Sequence, residues 1–218
     1  EKKTMTGRYW LGGVTLLASI ALATVSVQIV RVALNANSDS EYRDLSFEVG
    51  YLTPLEARIE QQENMLASIK DEESRFRIEK NLAKLYRDLG RKSQGQGRLT
   101  HAEAAYQKAS TYDPDNAAYV ASLAELYENA AEAKKSPSEA TFLMECAANT
   151  WEEAIKASGE DPIYRVRCSR ARIRLAKFLW DAGNPVAAKR TLEEARKTMP
   201  KNTELASMAS KLESTFGR

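Results

Sequence analysis

The sequence predicts an all-α protein in which one membrane-crossing helix precedes an array of paired helices. Three observations carry that reading. The run from Tyr9 to Val30 is mostly apolar and holds no charged side chain. Beyond it Ala, Glu, Lys, Leu and Arg dominate, with only 6 Pro and 10 Gly in the whole chain, so strong helix formers prevail. Towards the C-terminus, large and small apolar residues recur at helical spacing in blocks separated by Gly- and Pro-bearing breaks.

Residues 1–8 form a flank bearing Lys2, Lys3 and Arg8. The membrane helix is assigned to 9–34, because its uncharged run exceeds the roughly 20 residues that cross a hydrocarbon core. Tyr9 and Trp10 stand where interfacial aromatics belong, and Arg31 closes the far end of the run. A secretory signal peptide is the competing reading, since Ala21-Leu22-Ala23 imitates a cleavage site; the run outlasts the roughly 7–15 apolar residues of such a signal. The cations before the helix outnumber those just after it. That bias predicts a cytoplasmic N-terminus and an extracytoplasmic C-terminal domain, as in a single-pass protein of a bacterial inner membrane. Gly12, Thr15, Ser19, Ala23 and Ser26 share one face, a small-residue pattern that lets a second membrane helix approach, although such residues are frequent in any membrane helix.

A polar linker is expected over 35–52, followed by an amphipathic helix over 53–76. Thr53, Pro54 and Glu56 read as N-cap, first helical position and capping box. Leu55, Ile59, Gln62, Leu66, Ile69, Glu73 and Phe76 then follow a four-three spacing, and its two polar positions favour a helix packed on the next one over a coiled coil.

The remaining residues, 77–218, carry the pattern that decides the architecture. Leu175, Ala176, Leu179, Gly183, Ala188, Leu192, Ala195 and Pro200 mark two helices, a turn at Gly183-Asn184-Pro185 and a stop. The small residues let the paired helices close up, and the large ones fill the gaps. This stretch resembles the tetratricopeptide repeat, matched without insertion from Leu175 to Pro200. Two earlier units match less closely. Leu82, Ala83 and Tyr86 lead the first, and Ala102, Tyr106, Ala109 and Pro114 follow; Leu123, Ala124 and Tyr127 lead the second, and Ala147, Trp151 and Ala154 follow. Extra residues around 92–99 and 134–137 are expected as lengthened turns. Residues 202–216 read as a capping helix. A generic helical bundle is the alternative architecture.

Composition narrows function. Lys and Arg together number 32 against 30 Asp and Glu, so no global basic field points to nucleic acid. One histidine, His101, leaves little room for metal sites or acid–base chemistry. Cys146 and Cys168 are spaced neither as a redox pair nor as zinc ligands, and are expected as reduced core thiols. Gly90, Gly95 and Gly97 sit in what reads as a polar turn, with no Lys-Ser/Thr behind them to make a phosphate loop. No catalytic, metal or cofactor site is therefore expected, and the chain reads as a non-enzyme.

The candidate binding residues are cations. Arg167, Arg170, Arg174 and Lys177 fall at i, i+3, i+7 and i+10 on the leading helix of the last unit; Arg77, Lys80, Lys84 and Arg87 repeat that spacing in the first. In the family resembled, leading helices line the groove that takes partner peptides, and Arg rows there grip carboxylates. Arg170 and Arg174 resemble the basic pair of the chaperone-binding members. Ser122 and Lys84 stand where that clamp would need amides, so a dedicated clamp is not implied. Two readings of the rows stay open, an acidic-partner site and a solvated charged face. The resemblance implies a membrane-anchored scaffold or adaptor, an accessory subunit docked in an integral-membrane complex and binding other proteins or acidic peptide segments, in contact with membrane lipids. A tethered chaperone or assembly factor is the alternative.

Overall fold

Helix starts in this chain are written in caps and prolines. The computed structural model describes residues 53–198 and 201–216, which fall within the unit Gly50–Arg218. The expected membrane helix at 9–34, its small-residue face, the flank and the linker all lie outside the described residues. Among the described residues no helix is long and apolar enough to cross a membrane.

Eight α-helices and no strands appear among these residues: α1 Pro54–Ser68, α2 Glu72–Gly95, α3 Leu99–Tyr112, α4 Ala117–Ala133, α5 Pro137–Ala157, α6 Pro162–Asp181, α7 Pro185–Thr198 and α8 Thr203–Phe216. The capping box at Thr53 and Glu56 is present, with the Thr53 N–H donating to Glu56 Oε2 at 2.8 Å. Asp161 caps α6 by accepting the Ile163 N–H at 2.8 Å. α6 ends on a hydrogen-bonded reversal in which Gly183 takes φ +79°. There the Asn184 N–H donates to Leu179 O and the Gly183 N–H to Trp180 O, both at 2.9 Å, which satisfies two orphan carbonyls of the helix end.

Two expectations about boundaries are corrected. The single helix expected over 53–76 is two. Its spacing runs on through Ile69, but Asp71 accepts the Ser74 N–H at 2.8 Å and starts α2 as a new helix, so a cap overrides the apolar periodicity. The lengthened turns expected around 92–99 and 134–137 are short, because the extra residues extend the helices themselves. α2 continues through Gly90 to Gly95, leaving Gln96–Arg98 as the turn, and α5 begins at Pro137.

Each helix packs on its successor, and helices two apart also touch, α2 with α4 and α6 with α8. This gives the two-layer order implied by the repeat resemblance, with α2, α4, α6 and α8 leading and α3, α5 and α7 trailing. The alanines of the last unit, Ala176, Ala188 and Ala195, are fully buried around Leu192 and Ile173. α8 closes the array by burying Leu205 and Ala209 there and stacking Phe216 on Trp180 with centroids 4.3 Å apart. At the other end Glu63 of α1 accepts the Tyr86 hydroxyl at 2.5 Å and lies 3.6 Å from Lys108 Nζ, tying α1 to α2 and α3.

Candidate functional site: the leading-helix face

The charges of the leading helices α4 and α6 meet in register. Arg167 of α6 lies 3.3 Å from Glu125 of α4. Seven residues further along both helices, Arg174 reaches Glu132 at 2.9 Å and Glu128 at 2.8 Å. Arg170, between them on the same stripe, leans the other way to Glu204 of α8 at 3.7 Å. The row read as either an acidic-partner site or a solvated charged face is a ladder of ion pairs joining α4, α6 and α8. Lys177 bonds within its own helix, to Asp181 at 2.7 Å.

Glu128 is the deepest member. Its side chain is 15 % exposed, and it also accepts Trp151 Nε1–H of α5 at 2.5 Å, so one carboxylate holds three helices. Burial pushes its pKa above the ordinary carboxylate value, against the pull of the Trp151 hydrogen bond and of Arg174 and Arg167. Arg167 also stands over the Trp151 ring, 5.9 Å from the centroid. Behind the ladder Arg172 pairs with Glu152 and bonds Thr198, joining α6 to both trailing neighbours.

The first row differs. Arg77 pairs with Glu73 one turn earlier on α2. Lys80 sits over the exposed ring of Phe76 at 4.5 Å. Arg87 stacks over Tyr119 of α4 at 5.9 Å and lies 3.5 Å from Asp88. Lys84 is exposed and pairs with no carboxylate among the described residues. Cations thus dominate the α2 part of the face, whereas the α4–α6–α8 part is neutralised from within. The two rows of the sequence lie on leading helices as expected; the last is tied to its neighbours by ion pairs, whereas the first reaches α4 only through Arg87 over Tyr119 among the described residues.

Glu125, Glu128, Glu132 and Glu204 were missed by sequence reasoning. A signal was present: Glu125, Glu128 and Glu132 have the same i, i+3, i+7 spacing as Arg167, Arg170 and Arg174. It becomes legible only once α4 and α6 are known to lie side by side. A second buried polar pair, the Tyr127 hydroxyl donating to Glu103 at 2.8 Å, joins α4 to α3 and is closed to solvent. Among the described residues no cluster of His, Cys, Asp and Glu has the geometry to hold a metal ion. Both cysteines are free thiols; Cys168 is buried, and burial pushes the pKa of each up to about 12.

No family model matches the chain, and no curated protein sequence matches it. Among solved structures it is similar to the N-terminal domain of stress-induced protein-1 (STI-1) from C. elegans, at 19 % identity and a TM-score of 0.44, over 62 % of this chain and 97 % of that one. It is also similar to the Yersinia enterocolitica type III secretion translocator chaperone SycD, at 12 % identity and a TM-score of 0.36, over 63 % of this chain and 89 % of that one. The two-layer helix order stands on its own packing.

Proposed function

We propose that this chain is a non-catalytic, membrane-anchored adaptor, an accessory subunit of a membrane protein complex that binds acidic segments of protein partners along its leading-helix face. The observation that carries the reading is that face itself. Two leading helices, α2 and α6, present rows of guanidinium and ammonium groups on it, and the α6 arginines are held in place by ion pairs to α4 and α8. Positioned Arg side chains bind carboxylates through forked hydrogen bonds with little ordering cost at the time of binding. The apolar run at Tyr9–Val30 supports anchoring, and its flanking charges support an extracytoplasmic array. Gly12, Thr15, Ser19, Ala23 and Ser26 are the proposed contact with other membrane helices.

Mild-detergent extraction of native membranes, followed by size separation and identification of comigrating proteins, tests the proposal. A fixed-ratio association with an integral-membrane assembly is expected. Migration alone would overturn the subunit reading.

A further inference from the structure

The carboxylates of the ladder fall into two classes. Glu128 is enclosed and doubly bonded, to Trp151 and Arg174. Glu125, Glu132 and Glu204 are 50 %, 52 % and 70 % exposed, and each meets one arginine of the α6 stripe. Two of the three arginines they meet are also positioned through a second contact. Arg174 keeps Glu128 if Glu132 leaves, and Arg167 keeps the Trp151 ring if Glu125 leaves. Exposed ion pairs are weak, about 0.2–1 kcal/mol each, so an incoming carboxylate displaces such a partner at little cost. No buried apolar contact has to open for the exchange, because these carboxylates lie at the surface.

We infer that Glu125, Glu132 and Glu204 act as built-in competitors, occupying the arginines of α6 until the carboxylates of an acidic peptide segment replace them. This rests on the adaptor reading above and adds its regulation: the empty face is self-neutralised, and only a segment with several carboxylates displaces all three. Glu128 remains as the fixed member that keeps Arg174 aimed at the face.

The test uses the full chain in an uncharged detergent and a fluorescein-labelled deca-glutamate peptide, read by anisotropy at fixed salt. The triple variant Glu125→Gln, Glu132→Gln, Glu204→Gln removes the competitors while preserving side-chain size. The control triple Glu145→Gln, Glu153→Gln, Glu193→Gln removes the same number of exposed charges from the trailing helices. Each competitor is expected to weaken binding by roughly 1.4- to 5-fold, so the first triple binds between about 3-fold and about 100-fold tighter than wild type, and the control stays within about twofold. Equal tightening in both triples, or none in either, overturns the inference and leaves the acidic-segment reading standing. Failure of wild type and both triples to bind overturns that reading together with the inference.

Discussion

Gly90 sits in the interior of α2, where glycine is a poor helix former, and Gly90→Ala tests whether packing requires it. By helix propensity alone the substitution gains about 1 kcal/mol. An alanine Cβ there would fall 2.6, 2.7 and 3.0 Å from Cε1, Cδ1 and Cζ of Tyr106 on α3. Those separations are roughly 1 Å inside the ~3.5–4.0 Å optimum for carbon contacts. The ring has nowhere to go, since Tyr106 is 2 % exposed and its hydroxyl donates to Gln94 on α2 at 2.9 Å. Overpacking of this kind costs about 1–3 kcal/mol, which leaves a net loss of about 1 kcal/mol after the propensity gain. With a urea slope of about 2 kcal/mol/M, the midpoint should fall by about 0.5 M in far-UV circular dichroism. The sharper reading comes from Tyr106→Val, which removes the obstructing atoms. In that background Gly90→Ala should stabilise by about 1 kcal/mol, a change of sign that measures the contact directly. An equal effect of Gly90→Ala in both backgrounds would refute the close-approach argument.

Other consequences can be checked independently. Trp151→Phe keeps most of the ring but removes the donor to Glu128, and should cost about 1.5–3 kcal/mol, since the acceptor is charged and largely buried; Trp180 remains to report unfolding. Thr53→Ala should cost about 1 kcal/mol in α1, read as faster amide exchange there. The same site sets a pH dependence. The hydrogen bonds from Thr53 hold Glu56 below the ordinary carboxylate value, so its contribution is complete above that value and is lost as pH falls through the lowered one. Thr53→Ala should therefore flatten the acid limb of a stability–pH profile measured by thermal melting. Alkylation of Cys146 and Cys168 at pH 8 should be slow in the folded chain and fast in urea, because thiols with pKa pushed up to about 12 hold little thiolate.

Sequence and structure agree where a local rule and the tertiary packing point the same way. Thr53, Pro54 and Glu56 form the cap they spell. Leu175 to Ala195 buries the alanines expected to draw α6 and α7 together, and residues 203–216 close the array as a final helix. They part where two signals compete. Around Ile69 the four-three spacing argued for continuation, while Asp71 offered a cap, and the cap prevails. Gly90 read as part of a turn, yet it is helical, and what leaves no room for a side chain there is Tyr106 of α3, which lies on another helix and leaves no local mark. The charged face was half legible for the same reason. Cation spacing along α6 is a property of one helix, whereas neutralisation by Glu125, Glu132 and Glu204 depends on which helices become neighbours.

The ladder also determines which substitutions probe binding without damaging the fold. Reversing Arg174 would strand Glu128, a largely buried carboxylate, and breaking such a pair is costly in itself. Lys80 and Lys84 of α2 are exposed and, among the described residues, join no other helix through an ion pair, so their reversal changes the face and spares the packing. Lys189 and Arg190, exposed on trailing helix α7, give the matched control.

Retention of partners in detergent extracts by Lys80→Glu/Lys84→Glu, compared with Lys189→Glu/Arg190→Glu, therefore tests the leading-helix face most directly. The account predicts loss of partner from the α2 variant and wild-type retention by the α7 variant. Full retention by the α2 variant, or loss confined to the α7 variant, would contradict it.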